Sequence, residues 1–444
     1  MPFRDVLLLL VFVVSLPVCF VRPFYGIILW TIVAFLNPQS YIWGAVTFPW
    51  AMAVAIPTLA GMLIFSRGWM ERLMSRELLM LGTLWVWFTI TTVVSTNTTL
   101  FSHHASDTWL RWIFVSKILL MTAGTAAIVD SLFKFRVLMI TIAGCFGVFI
   151  LKALPFLAAT GGAFRLYGPP NSMVEDNNDF GLALNMTLPI FFFLAQTEPN
   201  RWVKRLFAFC FAATIPSILF TYSRGALIGL VVVLGLMLLR SKQRVLLGLM
   251  VIIAMLVGLT FAPERWRERM DPNQGLDGSA LSRINSWTFA WNLASDYPVT
   301  GGGFATFSPD LFGRYAPNGA DVKGPHSVYF QILAEHGFVG EFLYLSLVVI
   351  CFLALWRLSR QAKEIGDTRV IAYANMLSLS MVGFLASGTF LGRAYFDYFF
   401  TLVACVAILQ RSARQEWAAD AEVLDEGLDT ADDRVLTYEQ EAIG

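Results

Sequence analysis

Long apolar stretches, separated by short polar segments, run along almost the whole chain. A helix that crosses a bilayer needs about 20 predominantly apolar residues, because each residue rises about 1.5 Å through roughly 30 Å of hydrocarbon. Runs close to that length predict helices at 44–65, 78–96, 110–131, 134–158, 178–196, 203–221, 224–240, 243–262, 327–357, 368–390 and 394–411. Two shorter runs, 6–20 and 25–36, come first and are separated by Arg22 and Pro23. Proline removes a helix hydrogen bond and arginine is costly in lipid, so these two runs form either two short helices or one broken span.

The composition supports the same interpretation. Hydrophobic residues make up 57% of the 444 residues and charged residues only 14%, whereas soluble domains carry about 25% charged residues. This balance excludes a soluble multi-domain enzyme and predicts an all-α, polytopic integral membrane protein with about 12 transmembrane helices. The net charge of +1 argues against a nucleic-acid partner. All five cysteines lie in apolar runs and are interpreted as small buried residues.

Lysine and arginine are concentrated on alternate loops, which is the pattern of cytoplasmic loops. These clusters lie at 67–76, 134–136, 201–205, 240–244 and 357–363. The chain is then predicted to have an N-terminal transmembrane bundle (1–262), a long non-cytoplasmic loop with amphipathic helices (263–326), C-terminal transmembrane helices (327–411) and an acidic cytoplasmic tail (412–444). The composition of the tail predicts disorder.

Arg224 lies between two apolar runs, on the side of the membrane where basic residues are disfavoured. It is also placed at the start of a predicted helix, where the helix dipole favours anions. A guanidinium there offers paired donors to a phosphate, so one interpretation is an anion site. The alternative is an interfacial arginine whose charge simply reaches water.

A second loop on the same side carries Arg165, followed by a turn at Gly168-Pro169-Pro170 that would hold it at the membrane face. The acidic cluster at 175–179 admits a metal site. The favoured interpretation is that Asn178 or Asp179 caps a helix beginning at Phe180. The loop pair of His103 and His104 likewise admits a metal site, although solvated polar residues are favoured.

The long loop begins with Arg265 among other arginines and continues into a helical pattern. Trp287, Ala290, Trp291 and Ala294 have the spacing of one apolar helix face, which predicts a helix that lies on the membrane surface or on the bundle. Arg283 precedes Trp287 by one turn and shares this face. An inward-facing arginine needs an anionic partner, for which a ligand phosphate is favoured over an internal carboxylate.

Gly301, Gly302 and Gly303 end this helical pattern, and an anion-binding nest and a plain loop are equally supported. His326 follows a proline where the long loop meets the next span. Nearby cations would lower its pKa and keep it neutral, so that it can act as a base; a purely structural histidine is the alternative. Glu335 is about 13.5 Å further along a continuous helix and cannot directly orient His326.

These motifs resemble the O-antigen ligase and polymerase superfamily over roughly residues 160–345. The residues that carry the resemblance are Ser223-Arg224-Gly225, Arg283 with Trp287, Pro298, Gly301 and Gly303, and His326 with Gln331, Glu335, Gly337 and Gly340. The usual His-Asn pair of the family is His326-Ser327 here. The N-terminal stretch, including residues 37–44, is also similar to ligases associated with exosortase systems, which are suspected of modifying proteins.

The resemblance implies a GT-C-like glycosyltransferase of the bacterial inner membrane with its active site facing the periplasm. Such enzymes move a glycan from undecaprenyl pyrophosphate to an acceptor hydroxyl, without a metal or other cofactor, and direct attack inverts the anomeric centre. By position, Arg224 and Arg283 match the functional arginines of the family and His326 matches its proposed base. Arg165 is a weaker match, and Arg265 is added as a further candidate for pyrophosphate binding.

The predicted function is therefore that of an O-antigen ligase, with lipid A–core oligosaccharide as acceptor. A protein O-glycosylation ligase and an O-antigen polymerase remain open within the same chemistry. A transporter of a lipid-linked anion is the alternative from another class, and it predicts repeated halves and charges near the bilayer midplane. The sequence instead shows no internal repeat and gathers its informative charges beside one long loop.

Overall fold

The computed structural model describes residues 3–41, 48–240 and 278–442, together with a few helical residues between 248 and 264. Every regular element in these ranges is helical. The α-helices are α1 (Phe3–Val21), α2 (Pro23–Phe35), α3 (Trp50–Phe65), α4 (Trp69–Arg72), α5 (Arg76–Asn97), α6 (Ala105–Ile128), α7 (Leu132–Thr160), α8 (Asn177–Thr197), α9 (Arg201–Leu219), α10 (Arg224–Arg240), α11 (Gly278–Asp296), α12 (Pro309–Tyr315), α13 (Val328–Ile365), α14 (Thr368–Gly388) and α15 (Asp397–Ala442).

Seven of the described helices, α5 to α9, α13 and α14, are long and apolar enough to cross a membrane. Shorter apolar helices correspond to α1, α2, α3 and α10. The prediction of a polytopic helical membrane protein is therefore confirmed, whereas the count of about 12 spans exceeds the seven that meet this criterion. The short runs explain part of the difference, because Arg22 has non-helical dihedral angles and separates α1 from α2. The predicted span at 243–262 falls largely outside the described residues.

Local capping explains why several helices begin where they do. A side-chain oxygen just before the helix accepts a hydrogen bond from a backbone N–H of the first turn, which would otherwise have no partner. This occurs at Ser75, Ser131, Asp176, Asn200 and Asp367. The cap of α8 is thus Asp176, not Asn178 or Asp179 as the sequence suggested, because α8 begins three residues earlier than Phe180.

The helix α8 lies at the centre of the bundle, where it packs against α9, α10 and α14. Asn185 joins three of these helices, since its amide donates to the Ala226 carbonyl at 2.7 Å and to the Ser387 hydroxyl at 2.9 Å. A buried amide that satisfies two partners fixes the relative positions of the helices it joins. The starts of α8 and α10 are therefore held side by side at one end of the bundle.

The described part of the long loop folds into α11 and α12, which form a second small core on that end of the bundle. Phe289 stacks on Phe312 with ring centroids 4.3 Å apart. The buried face of α11 runs through Phe289, Ala290 and Leu293, while Trp291 is 54% exposed. The predicted apolar face of this helix was therefore correct for Ala290 and wrong for Trp291. The side of α11 that is buried depends on how the helix packs against α12 and α13, and the spacing of the tryptophans does not record that packing.

The last helix, α15, continues through the acidic segment to Ala442, where the composition predicted disorder. Alanine, leucine and glutamate recur in this segment, and all three have high helix propensity.

Candidate active site

Four connecting segments meet at the end of the bundle that carries α11 and α12, which we call the loop face. They are residues 161–176, 220–223, 297–327 and 389–396. Backbone and side-chain contacts join them: the Leu166 N–H donates to the Phe220 carbonyl at 3.0 Å, and the Asn177 amide donates to the Thr221 carbonyl at 2.7 Å. The predicted site residues of the described chain lie on or beside these segments.

His326 lies two residues before α13 and is half-buried, with a left-handed φ of 46°. Burial lowers the pKa of its imidazole, and the positive charges of Arg283 and Lys323 lower it further, against weaker opposing effects of Asp176 and Asp321. The cause anticipated from the sequence, nearby cations, therefore operates together with desolvation. A histidine in this environment is neutral near pH 7 and keeps a ring nitrogen free to accept a proton.

Arg224 occupies the first position of α10, directly after a tight turn. The turn is fixed by Tyr222, which has a left-handed φ of 58° and whose hydroxyl donates to the Gly162 carbonyl at 2.8 Å. Such strain persists in a non-glycine residue only where the surroundings hold it. The arginine is thus placed at a helix N-terminus by contacts from a neighbouring loop, as an anion site requires.

Arg283 lies on α11, one turn before Trp287. Trp287 stacks on Phe330 of α13 with ring centroids 5.3 Å apart and planes 12° from parallel. This contact orients the helix so that Arg283 lies close enough to His326 for its charge to act on the imidazole. The structure therefore brings Arg283 and His326 together, although the long loop separates them in sequence.

The segment 389–396 is the common neighbour of these groups. A Cβ atom placed on Gly225, next to Arg224, would lie 3.1 Å from the Cβ atom of Phe390. The Phe390 ring lies 6.3 Å from that of Trp287. A Cβ atom placed on Gly392 would lie 2.5 Å from the Pro325 ring and 3.2 Å from the backbone nitrogen of His326. The segment therefore packs against all three of the predicted site elements.

This segment also carries a cation that the sequence analysis missed. Arg393 forms an ion pair with Asp179 on the first turn of α8, and the charge of Asp176 acts on both Arg393 and His326. Asp176 also caps α8, and Glu175 accepts a hydrogen bond from the Asn171 N–H, so all three carboxylates of the acidic cluster have protein partners. The signal that singled out Arg224, an arginine between two apolar runs on the disfavoured side, applies equally to Arg393.

A small cavity of about 70 Å³ lies beside Arg393 and contains a second arginine, Arg111 of α6. Gln331, Gly392 and Tyr395 also line it. Within the described part of the chain, the Arg111 guanidinium has neither a hydrogen bond nor an ion pair, although its charge acts on Glu335 and Tyr395. Two cations around one cavity form a setting suited to an anionic group.

A buried polar network inside the bundle holds the segment 389–396 in place. The Tyr395 hydroxyl donates to Glu335 and lies 2.8 Å from Nε2 of His336. Nδ1 of His336 lies 2.7 Å from the Thr91 hydroxyl of α5. The Gln331 side chain accepts from the Ala394 N–H at 3.1 Å. Glu335 thus serves contacts between segments and does not reach His326, as its position in the sequence suggested.

The three glycines of the long loop do not form an anion nest. The N–H groups of Gly302 and Gly303 donate to the carbonyls of Ala334 and Glu335, at 2.9 and 2.8 Å. These carbonyls are released by a kink in α13 at Gly337, whose φ is 68° and whose ψ is −173°. The glycines therefore join the loop to the kinked helix, and they are needed because the two backbones lie in contact.

The remaining predicted residues occupy less defined positions. Arg165 is half-buried beside Leu166, whose backbone binds the turn before Arg224. Arg265 lies outside the described residues. His104 lies 3.5 Å from Asp310 of α12, and His103 is exposed. No group of three or more potential metal-binding side chains occurs among the residues that the structure describes.

Comparison with known protein families supports the resemblance noted from the sequence. Residues 206–345 match the family described as O-antigen ligase. This segment of the chain is similar to the O-antigen ligase family. The matched range contains Arg224, Arg283 and His326, whose surroundings are described above, and ends within α13.

This match supports a ligase-type or polymerase-type glycosyl transfer, and the helices support a multi-pass membrane protein. Residues 3–198 of the chain match a separate family whose function is unknown. Arg393 and its segment 389–396 lie beyond both matched ranges. No curated protein matches the chain.

Proposed function

We propose that this protein transfers a glycan from undecaprenyl pyrophosphate to a hydroxyl group of an acceptor at the loop face, which is the periplasmic side of the bacterial inner membrane. The observation that carries the proposal is the packing of Arg224, the Arg283 helix and His326 around one segment, 389–396. Cations next to a neutral base are the groups needed to separate a pyrophosphate from a sugar while a hydroxyl is activated.

In the proposed reaction, His326 accepts the proton of the acceptor hydroxyl as the oxygen attacks the anomeric carbon. The new glycosidic bond forms while the bond from this carbon to the pyrophosphate oxygen breaks. The electron pair leaves with undecaprenyl pyrophosphate, and direct displacement inverts the anomeric centre. The lowered pKa of His326 supports this role, because the imidazole is then already unprotonated when the acceptor binds.

The arginines would stabilise the charge that develops on the leaving group. Arg224 adds the partial positive charge of a helix N-terminus to its own guanidinium, and Arg283 lies one turn before Trp287, whose ring is 6.3 Å from that of Phe390. Arg393 is a further candidate of the same kind. Its guanidinium would then bind a phosphate and Asp179 at the same time. Arg165 and Arg265 remain proposed pyrophosphate ligands.

Lipid A–core oligosaccharide is the proposed acceptor. A protein hydroxyl would make the chain an O-glycosylation ligase, and a second lipid-linked glycan would make it a polymerase. All three acceptors need the same base and the same cations, so the choice among them depends on how the loop face receives the acceptor.

The test is transfer by the purified protein in liposomes, with an undecaprenyl-pyrophosphate glycan as donor, EDTA present, and the three acceptors supplied separately. Wild type is expected to form product with lipid A–core, and product with a protein or a glycan acceptor alone would replace the proposed acceptor while keeping the chemistry. Arg224→Gln and Arg283→Gln are expected to lower the rate by at least about 100-fold, by analogy with the loss of one oxyanion donor. Arg314→Gln, on α12, is the matched control and should leave transfer unchanged.

A further inference from the structure

A large cavity lies at the other end of the bundle from the candidate active site. Its volume is about 960 Å³, and it is bounded by α4, the start of α5, the last third of α13 and the middle of α15. Arg357 lines it and is 20 residues beyond the kink of α13 at Gly337, or about 30 Å along the helix that follows the kink. Because the hydrocarbon core is about 30 Å thick, the cavity and the candidate active site lie at opposite membrane surfaces.

The cavity is strongly basic. Five arginines and two glutamates line it, which leaves an excess of three positive charges. These residues are Arg72, Arg76, Arg357, Arg411, Arg414, Glu71 and Glu77. One glutamate is already engaged, since Glu77 accepts a hydrogen bond from Gln410 at 2.7 Å.

Two of the arginines have structural partners. Arg411 donates to the carbonyls of Ala126 and Val129, at 2.9 and 2.6 Å, and Arg72 donates to the Ala127 carbonyl at 2.8 Å. These bonds tie α4 and α15 to the end of α6. They also hold the two arginines at the wall of the cavity.

The other three arginines have no such partner. Arg76, Arg357 and Arg414 are exposed, and none of them makes a hydrogen bond or an ion pair with any residue that the structure describes. Three uncompensated cations that line one concave surface repel each other unless an anion lies between them. The charge of the cavity therefore calls for an anionic occupant from outside the chain.

The cavity also has an apolar rim, which indicates the kind of anion. Met74 is 66% exposed and Leu353 is 43% exposed, and both line the cavity together with Ile350. A soluble anion would leave this apolar surface without a contact, whereas a phospholipid carries acyl chains that can pack against it while its phosphate binds the arginines. Basic pockets between transmembrane helices at a membrane surface bind such headgroups.

We propose that this cavity binds the phosphate headgroup of an anionic phospholipid, with Arg76, Arg357 and Arg414 as the phosphate ligands and the apolar rim in contact with an acyl chain. The site is separate from the proposed glycan transfer and does not depend on it. Since Arg72 and Arg411 join α4, α6 and α15 behind the cavity, an occupied site links four elements, and binding is expected to raise the unfolding temperature.

The test uses the purified full chain in mixed micelles that contain phosphatidylcholine alone or with phosphatidylglycerol. Thermal unfolding reports stabilisation, and native mass spectrometry counts retained lipid. The variant is Arg357→Gln/Arg414→Gln, and the matched control is Arg360→Gln/Arg201→Gln, which removes two exposed arginines outside the cavity. All four positions are exposed, so we expect each variant to fold like wild type in phosphatidylcholine.

Phosphatidylglycerol is expected to raise the unfolding temperature of wild type and of the control, and the cavity variant should need about thirtyfold more lipid for the same shift. That factor assumes that each basic residue at an anionic membrane surface strengthens binding about fivefold. Equal lipid dependence in all three proteins would overturn the proposal. So would an equal shift with inorganic phosphate in phosphatidylcholine, which would indicate a site for free phosphate and not for a lipid.

Discussion

Removing the buried hydroxyl of Tyr395 should perturb the segment 389–396 of the candidate active site without changing a proposed catalytic group. This hydroxyl donates to Glu335 and lies 2.8 Å from Nε2 of His336, whose Nδ1 lies 2.7 Å from the Thr91 hydroxyl. Tyr395→Phe removes both bonds and leaves the ring in place. We expect the segment 389–396 to lose its fixed position relative to α13.

The magnitude follows from what the substitution leaves behind. An unpaired buried polar group costs about 1–3 kcal/mol, and here one carboxylate oxygen and one imidazole nitrogen would each lose a partner. Glu335 keeps an interaction with Gln331, which moderates its share. We therefore expect a loss of about 2–4 kcal/mol in the free energy of unfolding. A misplacement of about 1 Å at the segment would lower transfer by about 100-fold.

Thermal unfolding in detergent and the rate of glycan transfer measure the two effects separately. Tyr398→Phe is the matched control, because among the described residues that buried hydroxyl has one hydrogen-bond partner, Thr187 at 3.1 Å, and it lies deeper in α15. The control should lose about 1 kcal/mol and keep its transfer rate. If Tyr395→Phe unfolds earlier but transfers glycan like wild type, the network is structural only. If neither quantity changes, the network does not hold the segment.

Three further predictions concern the same site. In Arg283→Gln, the pH at which the transfer rate is half-maximal should rise relative to wild type, because a cation that lowers the pKa of His326 is lost. An unchanged midpoint in the pH–rate profile would contradict the role of His326 as the base. Arg393→Gln should lower transfer by about 10-fold or more while Arg393→Lys retains part of it, measured at saturating donor; equal rates would exclude a charge-based role. Gly301→Ala should destabilise the chain by at least about 1–2 kcal/mol, since φ is 59° and the new Cβ would lie 2.5 Å from the Ala334 carbonyl, whereas Gly144→Ala, with no atom within 4 Å, should not. Unfolding temperatures test this last pair, and similar values would contradict the proposed role of the glycine contact.

The apolar pattern predicted the helical class and most helix positions. Unpaired polar groups are costly in lipid, so each segment that crosses the membrane must be a continuous apolar run that forms a helix. The pattern did not predict the kink at Gly337 or the bonds from Gly302 and Gly303 that satisfy it. Those bonds join residues more than 30 positions apart, and no periodicity records such a pairing. For the same reason, the buried face of α11 was only partly correct.

The candidate site was predicted to a similar extent. Arg224, Arg283 and His326 were found because arginine and histidine are unusual at those points of an apolar chain. Arg393 carries the same signal and was missed, because its partner Asp179 lies more than 200 residues away and nothing local links the two. Physical reasoning from sequence thus identified unusual residues, and the fold supplied their neighbours.

The most direct test of the central claim is glycan transfer at pH 7 by purified His326→Ala in liposomes, alongside His103→Ala. His103 is an exposed histidine near the same face, so it controls for loss of an imidazole that the proposed reaction does not use. We expect His326→Ala to bind the lipid-pyrophosphate donor like wild type but to form product at least about 100-fold more slowly, while His103→Ala is unaffected. Transfer at the wild-type rate by folded His326→Ala would show that His326 is not the base.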